Sequence, residues 1–187
     1  MTSASVNHWI VPTDHAALEL RRLLEERYAN AVENVAGVVY EAGCGHGYGT
    51  TLLATAPRVS KVIARDIDAE AVAIAVQHTV PKVSFGVSNI EQDPVPPCDW
   101  VVCTEVMGHL HLPHLFLDKL KGAARIGIVL SWEVGKSGNQ AHACEFAPGK
   151  MSELMIGWNG HVRPAHERGP GGRILATYEV GVFVRPS

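Results

Sequence analysis

Apolar residues along this chain follow two spacings in turn, which predicts alternating strands and helices. Short apolar runs predict five strands, and apolar residues at three- and four-residue steps predict helices between them. The predicted strands cover residues 37–41, 61–66, 82–87, 99–104 and 125–131. The predicted helices cover 50–55, 68–76 and 113–121, with Gly122 as the expected end of the last. A further helix is predicted over 150–158, and two β segments over 161–166 and 173–185 form a hairpin across 169–172.

This element order predicts one α/β fold. Alternating strands and helices followed by a hairpin indicate a doubly wound, mostly parallel seven-stranded sheet with an antiparallel C-terminal strand near an edge. Helices are expected on both faces. An amphipathic helix starting at Thr13 or Asp14 and running to Val35 precedes the first strand, and residues 1–12 are expected to form an arm or lid. Residues 132–148 have turn composition, which predicts a long functional or mobile loop.

Composition narrows the class of protein. A chain of 187 residues with 47% hydrophobic content is expected to form a single domain, residues 1–187, with an N-terminal arm and helix over 1–35 and a core over 36–187. A net charge of −3 disfavours a broad nucleic-acid footprint, although a local basic patch is invisible in the total. Four cysteines without Cys-x-x-Cys spacing, no membrane-length apolar run and no export signal predict a reduced, cytoplasmic protein. The oligomeric state stays open.

The most informative stretch is residues 38–51, where an apolar run ends in an acid and passes into four closely spaced glycines. Glycines suit a turn whose backbone angles a Cβ would forbid and which a ligand must approach closely. A P-loop would need a lysine after the last glycine, and a dinucleotide fingerprint would need Gly-x-Gly-x-x-Gly; neither pattern fits. Acid-x-Gly-x-Gly-x-Gly, from Glu41 to Gly47, does fit. It resembles the loop of class I S-adenosylmethionine-dependent methyltransferases.

The resemblance continues at the ends of the next strands and implies a cofactor site. Asp66 ends the second predicted strand, about 20 residues beyond the glycines, where a carboxylate can accept from both ribose hydroxyls. The resemblance implies that Ile67 lies against adenine. Asn89 follows strand three where the family usually has Asp; its carbonyl oxygen can still accept from the adenine amino group, and Ile90 is expected on the ring. The expected cofactor-binding residues are Glu41, Gly43, Gly45, Gly47, Asp66, Ile67, Asn89, Ile90 and Thr104.

Residues 104–110, Thr-Glu-Val-Met-Gly-His-Leu, resemble the Glu-Val-Leu-Glu-His-Leu stretch of many small-molecule methyltransferases of the type 11 and type 12 kind. Residues 142–148 resemble the histidine-containing segment of the same enzymes. The resemblance thus spans about residues 38–155 and implies methyl transfer to a hydroxyl or amine of a small molecule. His109 is the candidate catalytic base, because imidazole titrates near neutral pH and this residue follows strand four.

Two alternatives stay open. RNA 3′-end 2′-O-methyltransferases, which this stretch also resembles, bind a divalent metal at positions matching Glu105, His109 and His142. Their second glutamate is Gly108 here, so we expect no metal to be required. The other alternative is a catalytically degenerate module that binds the cofactor without turnover. Cys44 is expected to be a small filler, and His111 and His114 to face solvent or substrate.

Overall fold

Seven strands form a single sheet in the computed structural model, which describes residues 27–78, 80–136, 140–168 and 172–187. Their order is β3-β2-β1-β4-β5-β7-β6. Strands β1 to β5 pair in parallel, whereas β7 is antiparallel to both β5 and β6. The bounds are β1 Gly37–Ala42, β2 Val59–Asp66, β3 Val83–Val87, β4 Cys98–Thr104, β5 Ala124–Val134, β6 Asn159–Arg168 and β7 Ile174–Val184. The predicted doubly wound sheet is therefore confirmed.

Helices connect the strands. Within the described residues, α1 occupies 27–34, followed by α2 Tyr48–Thr55, α3 Ala69–Ala75, α4 Pro113–Ala123 and α5 Lys150–Leu154. Short 3-10 turns occur at Val76–His78 and Met107–His109. Asp68 begins α3 by accepting hydrogen bonds from two amides of its first turn, as a capping side chain should. Pro113 begins α4, where a missing amide hydrogen costs nothing.

The sheet is buried on both faces, which explains why its central strands are nearly continuous apolar runs. In β4, Val101 and Cys103 face the core beneath α4 and α5, whereas Trp100 and Val102 face the core beneath α1 and α2. Successive side chains of a strand point to opposite faces, so one run serves both cores. The strand order reverses between β1 and β4, so their carboxyl ends flank the switch point where ligands of such sheets bind.

Several predicted boundaries were wrong. Strand β5 continues to Val134, so residues 132–134 belong to the sheet and not to the loop; Trp132 is buried and stacks on Phe146 with ring centroids 4.4 Å apart. Helix α4 passes through Gly122 and ends at Ala123, and α5 ends at Leu154. Strand β2 starts earlier, at Val59.

Some predictions fall outside the described residues. They are the arm at 1–12, the helix before residue 27, and most of the hairpin connection, 169–171. No helix in the described part of the chain combines the length and the apolar character needed to span a bilayer.

Candidate active site

The glycine loop lies between the end of β1 and the start of α2, and its three motif glycines all have positive φ angles. Gly43, Gly45 and Gly47 have φ of 75°, 48° and 80°. A Cβ on Gly43 would lie 2.1 Å from a methyl carbon of Val106, so packing alone excludes a side chain there. At Gly45 no described atom lies within 4 Å of the position that a Cβ would take. Gly45 therefore borders open space, which is the side from which a ligand can approach the main chain.

Asp66, the last residue of β2, is hydrogen-bonded to this loop. Its Oδ2 accepts from the amide of Gly45 at 2.7 Å, and its Oδ1 accepts from the amide of Asp68 at 2.9 Å. Each carboxylate oxygen has a second lone pair, so both can still accept from a ribose hydroxyl. Ile67 beside it is 65% exposed and offers an apolar surface for a flat ring. The structure thus brings together the ribose acid, the loop and the predicted adenine contact.

Residues 89–93 form the turn after β3, where Asn89 and Ile90 were expected to contact adenine. Both side chains are engaged within the protein. Asn89 Oδ1 accepts from the amide of Glu91 at 3.2 Å, which uses one of the two lone pairs expected for adenine. Ile90 is only 7% exposed and packs in the core with Phe116, so its side chain is not the free apolar face that was predicted. From α4, Lys119 donates to the carbonyls of residues 90, 91 and 93 at 2.9, 3.1 and 2.6 Å. The ammonium group therefore holds the turn in place.

Glu41 was predicted as a cofactor contact, but the structure places its carboxylate beneath the loop. It is 1% exposed, and its oxygens accept from the hydroxyls of Tyr28 and Thr50 at 2.7 and 2.5 Å. Burial raises the pKa of Glu41 from 4.5 to about 7, although both hydroxyl donors act to lower it. We interpret Glu41 as a support of the loop, because its carboxylate is covered by other side chains.

Thr104 belongs to the same buried network. Its hydroxyl donates to the hydroxyl of Tyr28 at 3.0 Å, and the residue is 7% exposed. Tyr28 lies in the amphipathic helix predicted up to Val35, but no role was predicted for it. A tyrosine on the apolar face of a helix is a signal that could have identified it, because a buried phenol usually needs a hydrogen-bond partner.

The candidate base, His109, is exposed at the end of the turn that follows β4. Its Nδ1 lies 3.2 Å from the carbonyl oxygen of Ala141. A carbonyl can only accept, so the hydrogen of the neutral ring belongs on Nδ1 and leaves Nε2 as the proton acceptor. The loop that carries Ala141 thus selects the tautomer that a general base requires.

His142 and Glu133 border the same region. The rings of His109 and His142 meet edge to face with centroids 4.7 Å apart, and His142 Nδ1 lies 4.0 Å from Glu133 Oε2. Desolvation, and to a lesser degree the neighbouring His109, lowers the pKa of His142. The lowered pKa favours a neutral His142 beside the candidate base.

Glu105, the first residue after β4, has a φ of +57°, in the left-handed region that residues other than glycine rarely adopt. Its Oε1 accepts from Ser131 at 2.6 Å and lies 3.8 Å from Arg27 Nε. Burial raises the pKa of Glu105. Backbone strain of this kind clusters at functional sites, and here it occurs at a strand end of the switch point.

Whether this site can bind a metal as the resembled enzymes do depends on residue 108. A Cβ on Gly108 would lie 3.3 Å from His142 Nε2, so a glutamate there would crowd the imidazole ring. His142 therefore lies beside residue 108, the position at which the resemblance to metal-binding methyltransferases would require a carboxylate. No set of three or more histidine, cysteine, aspartate or glutamate side chains within the described ranges is arranged to hold a metal ion. That no metal is required stays a prediction.

The cysteines do not contribute a nucleophile to this region. Cys44 in the glycine loop is 6% exposed, and burial raises the pKa of its thiol well above the ordinary range. All four cysteines of the chain have free thiols.

Part of this chain is similar in sequence to known methyltransferases. Residues 39–126 match a family model described as a methyltransferase domain. Two curated relatives, probable S-adenosylmethionine-dependent methyltransferases from two strains of Mycobacterium tuberculosis, are each 43% identical to this chain over 74 residues. The match covers 38% of this chain and 26% of each relative, so it spans about a quarter of their length.

Solved structures extend the likeness to nearly the whole chain at the level of the fold. The N-methyltransferase NodS from Bradyrhizobium japonicum, in complex with S-adenosylhomocysteine, is similar with a TM-score of 0.71 and 18% identity, over 98% of this chain and 94% of that one. The DhpI complex with S-adenosylhomocysteine is similar with a TM-score of 0.66 and 20% identity, over 96% and 89% of the two chains. These likenesses confirm the Rossmann-like fold that the element order predicted.

Proposed function

We propose that this protein is a class I S-adenosylmethionine-dependent methyltransferase that transfers a methyl group to a hydroxyl or amine of a small molecule. The match of residues 39–126 to a methyltransferase-domain model and the similarity to the curated methyltransferases support this proposal. The observation that carries the proposal is the hydrogen bond from the Gly45 amide to Asp66 at the switch point, together with the position of His109 in the turn after β4. This arrangement supports a nucleoside bound at the ends of β1 and β2 and a proton acceptor after β4.

The residues fit S-adenosylmethionine. The carboxylate of Asp66 suits ribose hydroxyls, Gly45 leaves its main chain accessible, and Ile67 offers an apolar face to the base. When bound, the cofactor supplies an electrophilic methyl group and its own leaving group. The protein then has to hold the acceptor in line with that methyl group, and positioning of this kind can lower a barrier by about 7–11 kcal/mol.

His109 contributes proton transfer. In the neutral tautomer favoured by the carbonyl of Ala141, Nε2 can accept the proton that a hydroxyl loses as its bond to carbon forms. For an amine acceptor, Nε2 can take the proton from the ammonium form before the attack, which frees the electron pair of the nitrogen. The acceptor's electron pair forms the new bond to the methyl carbon, and the electron pair of the broken carbon–sulfur bond stays on sulfur. Support for an amine acceptor comes from NodS, which is named as an N-methyltransferase and is similar in fold.

Methylation of an RNA 3′ end is a second candidate because His109 and His142 lie side by side. That reaction would use a divalent metal, whereas Gly108 supplies no ligand. Activity that is lost on chelation and restored by manganese or magnesium would favour it over the small-molecule reaction. Activity unchanged by chelation is the result we expect.

We further propose that residues 1–187 form one domain that works in the cytoplasm. The single sheet and the four free thiols support this. The oligomeric state is left open.

The test has two stages. Calorimetry with S-adenosylhomocysteine first measures cofactor binding, and a screen of small hydroxyl and amine acceptors with labelled S-adenosylmethionine then follows methyl transfer by mass spectrometry. Binding followed by transfer to a small acceptor is the expected result. Transfer to bulk RNA or protein alone would overturn the substrate class, and binding without any transfer would favour a degenerate module.

A further inference from the structure

We propose that Tyr28 is a positioning residue for the cofactor, whose hydroxyl joins Glu41 beneath the glycine loop to Thr104 at the end of β4. The inference rests on the proposed function for the identity of the ligand. It assigns to α1 a part in building the cofactor site, beyond covering one face of the sheet.

The hydroxyl of Tyr28 uses its donor and one acceptor position inside the protein. It donates to Glu41 Oε1 at 2.7 Å and accepts from Thr104 Oγ1 at 3.0 Å. It thereby connects α1 to two neighbouring parallel strands at their carboxyl ends, on either side of the point where the strand order reverses. The cofactor of such a sheet binds at this point.

Glu41 links the position of Tyr28 to the position of the glycine loop. Glu41 is the second-last residue of β1, two residues before Gly43. Thr50, which donates to its second oxygen at 2.5 Å, lies in the first turn of the helix that follows the loop. The carboxylate therefore bridges the two ends of the loop that carries Gly43, Gly45 and Gly47. Tyr28 fixes the other oxygen of this carboxylate, and so the orientation of the bridge.

The tyrosine ring has little freedom to move away. Tyr28 is 4% exposed and packs in an apolar cluster with Val35 and Leu53. A Cβ on Gly49 would lie 2.0 Å from the ring carbon that bears the hydroxyl, so glycine at 49 is what allows the ring to reach the start of α2. A phenylalanine would satisfy this packing equally well. The hydroxyl is needed for its hydrogen bonds.

Loss of the hydroxyl would change Glu41 in a defined direction. The titratable groups that face this carboxylate are Tyr28 from α1, Asp66 from β2 and Cys44 from the loop. Tyr28 and Thr50 donate to the carboxylate and lower its pKa, whereas burial and Asp66 raise it. Without the Tyr28 hydroxyl, the ionised form loses one of its two donors, so Glu41 should hold its proton to a higher pH.

The test compares Tyr28→Phe with Tyr178→Phe. Tyr178 also donates its hydroxyl to a carboxylate, Glu167 Oε2 at 3.0 Å, but that carboxylate belongs to the β6–β7 hairpin. Calorimetry should show that Tyr28→Phe binds S-adenosylhomocysteine roughly 5- to 150-fold more weakly, which corresponds to 1–3 kcal/mol for one unsatisfied buried acceptor. Tyr178→Phe should bind like the wild type.

The pH dependence of S-adenosylhomocysteine affinity is a second measurement, and a mere loss of packing would not shift it. The ionised carboxylate of Glu41 is the form that accepts from both hydroxyls, so affinity should fall as pH is lowered and Glu41 takes up a proton. In a series between about pH 5.5 and 8.5, the pH at which affinity has fallen by half should be higher in Tyr28→Phe than in the wild type and unchanged in Tyr178→Phe. If Tyr28→Phe does not fold, Thr50→Val, which removes the other donor to the Glu41 carboxylate, should weaken binding and shift the profile in the same direction.

Wild-type affinity and an unshifted profile in the Tyr28→Phe protein, or in Thr50→Val where Tyr28→Phe does not fold, would overturn this inference alone. A wild-type protein that does not bind S-adenosylhomocysteine would overturn the proposed function and this inference with it.

Discussion

Gly45 and Asp66 are 21 residues apart in the sequence, yet the amide of Gly45 donates a 2.7 Å hydrogen bond to Asp66 Oδ2. The bond joins the glycine loop after β1 to the carboxyl end of β2. A carboxylate placed for ribose hydroxyls and a loop that the cofactor must approach closely are therefore one unit. Disturbing either partner should disturb binding of the nucleoside.

Replacement of Asp66 tests this unit directly. Asp66→Ala removes two potential ribose bonds and the acceptor of the Gly45 amide, so S-adenosylhomocysteine should bind 1–3 kcal/mol more weakly, roughly 5- to 150-fold. Asp68→Ala is the matched control, because this neighbouring carboxylate caps α3 and should affect stability alone. Calorimetry of both variants makes the comparison. Equal affinity of Asp66→Ala and wild type would rule out the ribose assignment.

Gly45 offers a second test, with a control from the same chain. No described atom lies within 4 Å of a Cβ built on Gly45 or on Gly122, but Gly45 has a φ of 48° and Gly122 lies within α4. Gly45→Val should strain the turn and fill the ligand's approach, so binding should fall at least tenfold. Gly122→Ala should leave binding intact and stabilise α4 by about 0.5–1 kcal/mol. Binding titrations and thermal unfolding distinguish the two effects, and a Gly45→Val protein with normal affinity would mean that the loop is misassigned.

The fold and the backbone of the site could be predicted from the sequence, because they depend on local patterns. Runs of apolar residues buried on both faces identify parallel strands, and a strand end followed by glycines identifies the loop. Asp66 could be placed because it is the last residue of such a run. Nothing beyond spacing was needed at these positions.

The direction of individual side chains could not be predicted, since it depends on partners distant in sequence. Glu41 belongs to the motif, but its oxygens face Tyr28 and Thr50 from two helices. Ile90 follows β3 as expected, yet the core beneath α4 buries it. Residues 132–134, Trp-Glu-Val, were grouped with the turn-rich residues that follow them, but pairing with β7 extends the strand across them. In each case the outcome depended on a tertiary contact that the sequence does not display.

The raised pKa of Glu41 predicts how stability depends on pH. The folded-state pKa of about 7 exceeds the ordinary 4.5, so the folded protein binds more protons than the unfolded chain between these values. The contribution of Glu41 to stability is therefore greatest below pH 4.5 and is lost as pH rises to about 7. At about 1.4 kcal/mol per pKa unit, the loss is on the order of 3 kcal/mol.

Glu41→Gln provides the comparison, because its side chain is nearly isosteric and does not titrate. The difference in unfolding free energy between wild type and Glu41→Gln, measured with denaturant at several pH values, should fall from pH 4.5 to 7 and then level off. Groups such as Asp99, whose pKa is lowered by the amide of Val38 and by Arg125, contribute the opposite slope to both proteins and cancel in the difference. A difference that does not vary with pH would contradict the raised pKa.

The role of His109 is tested by separating turnover from binding. If Nε2 accepts a proton in the transition state, His109→Ala should lower kcat by roughly 10²–10⁴ and leave the affinity for S-adenosylhomocysteine nearly unchanged. His114→Ala is the matched control, since His114 is exposed on α4. An equally active His109→Ala enzyme would remove the base from the mechanism. Positioning of the acceptor against the methyl group would then have to carry the rate, which proximity can do for an acceptor that is already deprotonated.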